Sequence, residues 1–226
     1  MATTAPRPSD TPQQRLRTQL AGVNGRLFLV GAILLVWLLD TVLSHRLVDS
    51  GAVNGTPKSA MQLFEDVSTI LFIVVSVLLI ASLATRRHWA FVPLAVIYLA
   101  FSVVQVAVNV FSLVLSAGHQ ADVGLTGLWD VGAVYLMTVL VFTFVYALMD
   151  LYERDGAFEW PAREGQEPPT PNFVDYLFIS LNTNATYGPT TEAVMSRKVK
   201  LIMAFQVIMA LLMLTVLIAR SVAATT

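Results

Sequence analysis

The apolar positions of this chain are gathered into long blocks that short polar segments separate. Several blocks reach the length of about 20 residues with which a helix, rising about 1.5 Å per residue, crosses about 30 Å of hydrocarbon. Hydropathy therefore predicts five membrane spans, at residues 26–44, 67–84, 89–117, 128–151 and 199–222. We expect an all-α fold, that of a polytopic helical membrane protein.

A sixth apolar segment, residues 173–181, lies between the fourth and fifth spans and is too short to cross a bilayer. As a helix it reaches about 14 Å, or half of the hydrocarbon. Followed by a polar turn and a full span, it predicts a re-entrant hairpin, which protein or a water-filled cavity must surround. A helix that lies at the interface and never enters the bilayer is the alternative.

Two residues are candidates for the N-cap of this short helix. Thr170 can cap a helix that has Pro171 at its first position. Asn172 can cap a helix that has Asp175 near the positive end of the helix dipole. The chain then divides into a disordered cytoplasmic tail (1–25), a three-helix membrane region (26–127), and an outer helix, pore-like loop and inner helix (128–226).

Composition agrees with a membrane protein and excludes several other classes. Apolar residues make up 56% of the chain and charged residues 13%, which suits lipid better than water. A net charge of −1 without a basic stripe argues against a nucleic-acid partner. The absence of cysteine excludes disulfides and thiolate metal sites. The lipid bilayer is therefore the first partner that we expect.

The C-terminal part of the sequence resembles a known pore module. "FVDYLFISLNTNATYGPTTEAV" and the final span are similar to the pore helix, filter and inner helix of bacterial two-helix potassium channels. The whole chain resembles more closely a family of small five-span bacterial membrane proteins of unknown function, through "YALMDLYER", "DYLFIS" and the Thr-rich turn. This resemblance covers about residues 134–222. It implies a homo-oligomer around an ion or water path, and a tetramer if the protein is a channel.

The candidate filter departs from the potassium-channel pattern. That family reads Thr-Val-Gly-Tyr-Gly, whereas residues 184–188 read Asn-Ala-Thr-Tyr-Gly, so only Tyr187 and Gly188 match. The third position favours a left-handed backbone, which costs about 1–2 kcal/mol at β-branched Thr186. We therefore expect side-chain oxygens to line any path, with poor selectivity among small monovalent ions. The pore-like turn comprises Asn182, Thr183, Asn184, Ala185, Thr186, Tyr187 and Gly188. We expect Gly188 to adopt a left-handed conformation before Pro189.

Positive charges predict the orientation of the spans, because cytoplasmic flanks carry the excess of Lys and Arg. With the N-terminus inside, all of the 14 Lys and Arg residues except Arg46, Lys58 and Arg220 fall in cytoplasmic segments. We expect a multi-pass protein of the cell inner membrane with a cytoplasmic N-terminus. The pore-like turn then lies on the cytoplasmic side, opposite to a potassium channel and the same way round as in glutamate-receptor channels.

A polar stripe follows one face of the third span and must turn inward, away from lipid. Its members are Ser102, Gln105, Asn109, Ser112 and Ser116. They predict either a hydrated path or, as we favour, interhelical hydrogen bonds worth about 0.6 kcal/mol each. Asp40 and Asp150 lie near the ends of their spans, either as functional groups at depth or, as we favour, as solvated carboxylates at the interface.

The remaining candidate chemistry is sparse. The three His residues stand in separate connectors, and no nucleophile, zinc or phosphate-loop motif is present. Met203, Met209 and Met213, with Gln206, line the last span and are typical packing residues. We expect no enzyme activity, no cofactor and no metal. The alternative to a channel is a non-conducting accessory or scaffold protein.

Overall fold

The structure is a computed structural model, and it describes only part of the chain. Described are residues 91–117, 125–153, 156–162, 168–189 and 191–223, with helical stretches of one to five residues between residues 31 and 42 and of one or two residues between residues 63 and 78. The N-terminal tail, Asp40 and most of the first two predicted spans lie outside the described residues.

Helices dominate the described residues. The elements in chain order are α1 (Phe91–Ala117), α2 (Leu125–Tyr152), β1 (Phe158–Glu159), α3 (Phe173–Asn184), β2 (Ala193–Val194) and α4 (Arg197–Ala223). Helices α1, α2 and α4 coincide with the third, fourth and fifth predicted spans to within a few residues. In the part of the chain that the structure describes, these three are long and apolar enough to cross a membrane. The prediction of a helical protein with membrane-spanning segments is confirmed to this extent.

Helices α2 and α4 pack antiparallel. Tyr146 donates a hydrogen bond to Gln206, and Thr138 contacts the sulfur of Met213 at 4.0 Å. At the end of α2, Lys198 Nζ lies 3.7 Å from Glu153 Oε1. From one pair to the next, the residue number on α2 rises by about as much as the residue number on α4 falls. The register of the two helices is therefore maintained along their length.

The main core lies between α1, α2 and α4. Its buried members include Val106 and Val110 of α1, Val134 of α2, and Met209 and Met213 of α4. Because lipid tails are as apolar as these side chains, close packing rather than escape from water holds such helices together. The prediction that the methionines of the last span are packing residues is confirmed.

Exposed aromatic residues mark both ends of α2. Trp129 is 72% exposed near the start of the helix and Tyr152 is 49% exposed at its end. The 24 residues from Trp129 to Tyr152 extend about 35 Å at 1.5 Å per residue. Trp and Tyr concentrate at the two membrane interfaces with this separation. The midpoint of the span then falls near Val139.

Helix α3 begins at the second of the two predicted caps. Val174 N donates to Asn172 Oδ1 at 2.8 Å, and Asn172 N donates to Asp175 Oδ2 at 2.7 Å. This reciprocal pair is a capping box, and the cap at Thr170 is therefore wrong. The helix has 12 residues and ends at Asn184, three residues beyond the predicted apolar segment.

The connectors on either side of α3 are joined to each other. Strands β1 and β2 pair antiparallel, with Phe158 opposite Val194 and Glu159 opposite Ala193. Next to this pair, Met195 N donates to Ala157 O at 3.0 Å. The chain therefore enters α3 and returns from it at the same end of the helix bundle, where α2 ends and α4 begins.

Candidate functional site

One face of helix α3 is buried and mostly polar, and the opposite face is exposed and apolar. The buried positions follow the spacing of one helical face: Tyr176, Ile179, Ser180, Thr183 and Asn184. On the opposite face, Val174, Phe178 and Leu181 are exposed. This is the inverse of a helix at the surface of a water-soluble protein, and it suits a helix whose outer face contacts lipid or another apolar surface.

A buried hydrogen-bond network joins α3 to both neighbouring helices. Tyr146 of α2 donates to Gln206 Oε1 of α4. Gln206 Nε2 donates to the carbonyl and the hydroxyl oxygen of Ser180, at 3.0 and 3.1 Å. Ser180 Oγ in turn donates to Val139 O of α2 at 2.8 Å. Three helices are therefore connected through side chains that are fully buried.

This network lies deep in the helix bundle. Val139, which accepts from Ser180, is about 20 Å along α2 from Tyr152 at 1.5 Å per residue. It is close to the midpoint between the aromatic residues that mark the helix ends. These polar groups are closed to solvent, so they must pair within the protein. Sequence reasoning assigned Gln206 to packing and overlooked Tyr146 and Ser180.

The turn after α3 is a closed helix cap. Thr186 N donates to Thr183 O at 3.0 Å, and Tyr187 N donates to Asn182 O at 2.9 Å. These two bonds form a Schellman motif, in which the residue after the C-cap adopts a left-handed conformation. Thr186 is that residue, with φ of 66°. The first three residues of the predicted turn, 182–184, are therefore the last turn of α3.

Thr186 adopts the left-handed conformation that is unfavourable for a side chain branched at Cβ. Its cost of about 1–2 kcal/mol is offset in part by the two capping hydrogen bonds. The backbone here folds back onto α3 instead of presenting successive carbonyls to an axis, as a potassium filter does. Gly188 has φ of 72°, which confirms the prediction of a left-handed glycine before Pro189.

Asn184 is the residue of this turn whose buried side-chain amide lacks hydrogen bonds. Its side chain is 3% exposed, and neither Oδ1 nor Nδ2 has a hydrogen-bond partner among the described residues. A buried amide left without partners costs about 1–3 kcal/mol. Thr186 and Tyr187, by contrast, face outward, and Tyr187 is 81% exposed. The structure therefore does not bring the oxygens of Asn184 and Thr186 together.

A second polar cluster surrounds Asp150 at the end of α2. Its Oδ1 accepts from Ala157 N at 2.7 Å and Phe158 N at 3.1 Å. Its Oδ2 accepts from Tyr176 OH at 2.7 Å and from Trp160 Nε1 at 3.2 Å. Asp150 is 0% exposed, so the prediction of a solvated carboxylate is wrong. The connector folds back over the end of α2 and covers it.

Aromatic rings enclose this carboxylate. Trp160 meets Tyr176 edge to face with ring centroids 5.5 Å apart, and Phe158 meets Tyr176 at 6.2 Å. Burial raises the pKa of the Tyr176 hydroxyl, and the Asp150 charge raises that pKa further, so Tyr176 remains a hydrogen-bond donor. Asp150 therefore fixes the first turn of α3 to the last turn of α2.

The polar stripe of α1 turns inward as predicted. Ser102, Gln105 and Asn109 are buried, and Ser112 is partly buried. The side chain of the fifth predicted member, Ser116, lies outside the described residues. Ser102 Oγ donates to the carbonyl of Tyr98, and Asn109 Nδ2 contacts the sulfur of Met137 on α2 at 3.8 Å. The Asn109 contact runs between helices, as the hydrogen-bonding interpretation of the stripe expects, whereas the Ser102 bond stays within α1.

Comparison with known proteins adds no relative to this description. The chain matches no protein-family model, no curated protein and no solved structure. The resemblance to pore modules therefore stays a prediction. Within the described ranges, no group of three or more His, Asp or Glu side chains is placed to hold a metal ion.

Proposed function

We propose that this protein is a channel-like membrane protein in which α3 is a re-entrant half helix. In this proposal, residues 184–188 border a path for water or small monovalent ions. The observation that carries the proposal is Asn184, whose amide is buried at the end of α3 without a described partner. Buried polar groups in native proteins are usually paired, so this amide is an available partner for water or an ion that reaches the end of α3.

The depth of α3 supports the re-entrant arrangement. The Ser180 hydroxyl reaches the carbonyl of Val139 near the middle of α2, while the connectors before and after α3 pair with each other at one end of the helix bundle. A segment that enters to mid-depth and returns on the same side is what a re-entrant hairpin requires. The five spans of the proposed protein are α1, α2, α4 and the two spans predicted upstream. The half helix α3 is additional to them.

The polarity of the turn favours water or a cation over an anion. The C-terminal end of a helix carries the negative end of its dipole, and α3 ends at Asn184. The Asn184 amide oxygen adds a neutral oxygen ligand of the kind that replaces hydration water in poorly selective pores. We expect sodium and potassium to be distinguished weakly, if either is conducted.

One turn of this kind per chain does not enclose a path, so the proposal requires a homo-oligomer, a tetramer by resemblance to potassium channels. The Lys and Arg distribution favours an N-terminus in the cytoplasm. In this proposal the protein lies in the cell inner membrane. Lys198 and Lys200, at the exposed start of α4, belong to the cytoplasmic side in this orientation.

A non-conducting accessory or scaffold protein is the second candidate. The observation that favours it is the closed cap, in which the amides of Thr186 and Tyr187 are bonded to α3 itself. Helix α3 is also hydrogen-bonded to Asp150 and Gln206. The hairpin is therefore held in place by bonds within the chain and can serve as a packing element. In this case the outer face of α3 contacts other subunits or lipid.

Flux in liposomes separates the two candidates. The purified protein is reconstituted, and sodium, potassium and water fluxes are measured for the unmodified chain, Asn184→Leu and a control, Thr215→Val, on the exposed face of α4. A channel predicts flux that Asn184→Leu changes and Thr215→Val does not. Absence of flux from a well-folded oligomer, or a monomer in both detergent and lipid, would favour the scaffold.

A further inference from the structure

Two unfavourable features coincide at the end of α3. Thr186 occupies the left-handed region with φ of 66°, which side chains branched at Cβ rarely adopt. Two residues before it, Asn184 buries an amide without a described partner, and the buried Nδ2 of neighbouring Asn182 also has none. Backbone strain and unpaired polar groups persist only where surrounding structure imposes them, and they concentrate in segments that change conformation.

The rest of α3 is held firmly. Tyr176 is bonded to Asp150, and Ser180 is bonded to both Gln206 and Val139. These contacts fix the helix over its first two turns. In the last turn, the side chain of Thr183 is hydrogen-bonded to Tyr146 of α2. Asn184 makes no such bond to a neighbouring helix, and its amide atoms are closed to solvent in this conformation.

We propose that the last turn of α3 with its cap, residues 183–188, is a two-state element. The structure has the closed state, in which Asn184 is packed without partners. In the open state the cap unwinds, the Asn184 amide is hydrated and Thr186 leaves the left-handed region. This movement needs neither conduction nor a particular oligomer, so it is tested separately from the proposed function.

Gly188 supplies the hinge for this movement. Its φ of 72° is accessible to glycine without strain, and open space surrounds the position of its missing Cβ. Rearrangement can therefore be absorbed at Gly188 without displacing β2 or the start of α4.

Thiol accessibility measures the opening directly, because the chain contains no cysteine of its own. The reporter is Thr183→Cys, at a buried position of α3, in the full-length protein in liposomes. A small water-soluble methanethiosulfonate reagent then reacts only with the open state, and its rate reports the open fraction. Ile179→Cys, one turn earlier on the same face, is the matched reporter for the fixed part of the helix.

The two reporters should behave differently. The thiol of Thr183→Cys reacts at a measurable rate, whereas the thiol of Ile179→Cys does not. Adding Thr186→Gly to Thr183→Cys relieves the strain of the closed state and slows the reaction about five- to thirtyfold, the equivalent of about 1–2 kcal/mol. Adding Asn184→Leu, which removes the unpaired amide, also slows it.

Three outcomes overturn the proposal: no reaction of Thr183→Cys, equal reaction of the two reporters, or a rate that Thr186→Gly leaves unchanged or raises. Thermal unfolding in detergent establishes that each variant is folded. If Thr183→Cys does not fold, Asn184→Cys serves as the reporter, and it is read with and without Thr186→Gly.

Discussion

Tyr176 donates a hydrogen bond of 2.7 Å to the carboxylate of Asp150, and this bond joins the start of the short helix α3 to the end of the long helix α2. The two residues are 26 positions apart and belong to "DYLFIS" and "YALMDLYER", two of the three segments on which the resemblance to five-span proteins rests. Since they meet in space, these segments specify where α3 is attached.

Removing either partner of this bond should destabilise the protein. We expect Tyr176→Phe to cost about 1–3 kcal/mol, because one oxygen of Asp150 loses a donor. Asp150→Ala should cost more, because it leaves four buried donors without an acceptor. Unfolding in detergent measures both, with Tyr187→Phe, on an exposed side chain, as the control. Additive effects in the double variant would show that the residues are not coupled.

The hydrogen-bond network of Tyr146, Gln206 and Ser180 should be equally sensitive to substitution. Gln206→Leu keeps the approximate volume of the side chain but leaves Tyr146 without its acceptor and the Ser180 carbonyl without its extra donor. We expect a loss of about 1–3 kcal/mol in the free energy of unfolding. Thr215→Val on the same helix should stay within about 0.5 kcal/mol. Equal stability of the two variants would contradict the importance of the network.

Asp130 and Arg220 should form an ion pair at the other end of the bundle. Both are buried, and the antiparallel register set by Tyr146 with Gln206 and by Thr138 with Met213 brings them to the same level. Removing one partner of a buried pair costs about 3–5 kcal/mol. We expect Asp130→Ala and Arg220→Ala to be strongly destabilising and the double variant to be much less so than their sum. Additivity of the two losses would rule out the pair.

Orientation is testable at the two ends of α4. The variants Lys198→Cys and Ser221→Cys each place a single thiol at an exposed position of the cysteine-free chain. An impermeant thiol reagent added to intact cells should label Ser221→Cys and not Lys198→Cys, because the Lys and Arg distribution predicts that the start of α4 faces the cytoplasm. Opening the cells should make Lys198→Cys reactive. Labelling of Lys198→Cys alone in intact cells would invert the topology.

The sequence predicted the features that depend on a continuous stretch of residues. Helices α1, α2 and α4 follow from the lengths of their apolar blocks, and the cap at Asn172 was one of two local alternatives. The left-handed Gly188 also follows locally, from the absence of a side chain next to Pro189.

Features that depend on distant residues were not predicted. Asp150 was expected in water because nothing near it in sequence showed that the connector up to Trp160 would fold back over it. Tyr146, Ser180 and Gln206 look ordinary within their apolar helices and acquire a role only when three helices meet. At Thr186, a local preference was overridden by two hydrogen bonds to the preceding helix.

The depth of α3 in the bilayer tests the central claim most directly. A fluorophore attached to a single cysteine that replaces Phe178, on the exposed face of α3, is quenched by lipids brominated at different depths along the acyl chain. Leu136, exposed on α2, and Tyr152, at the end of α2, provide the deep and interfacial reference positions. We predict that the label at the Phe178 position is quenched most by deeply brominated lipid, as at the Leu136 position. Quenching that follows the shallow profile of the Tyr152 position would show that α3 lies at the interface and would contradict the re-entrant arrangement.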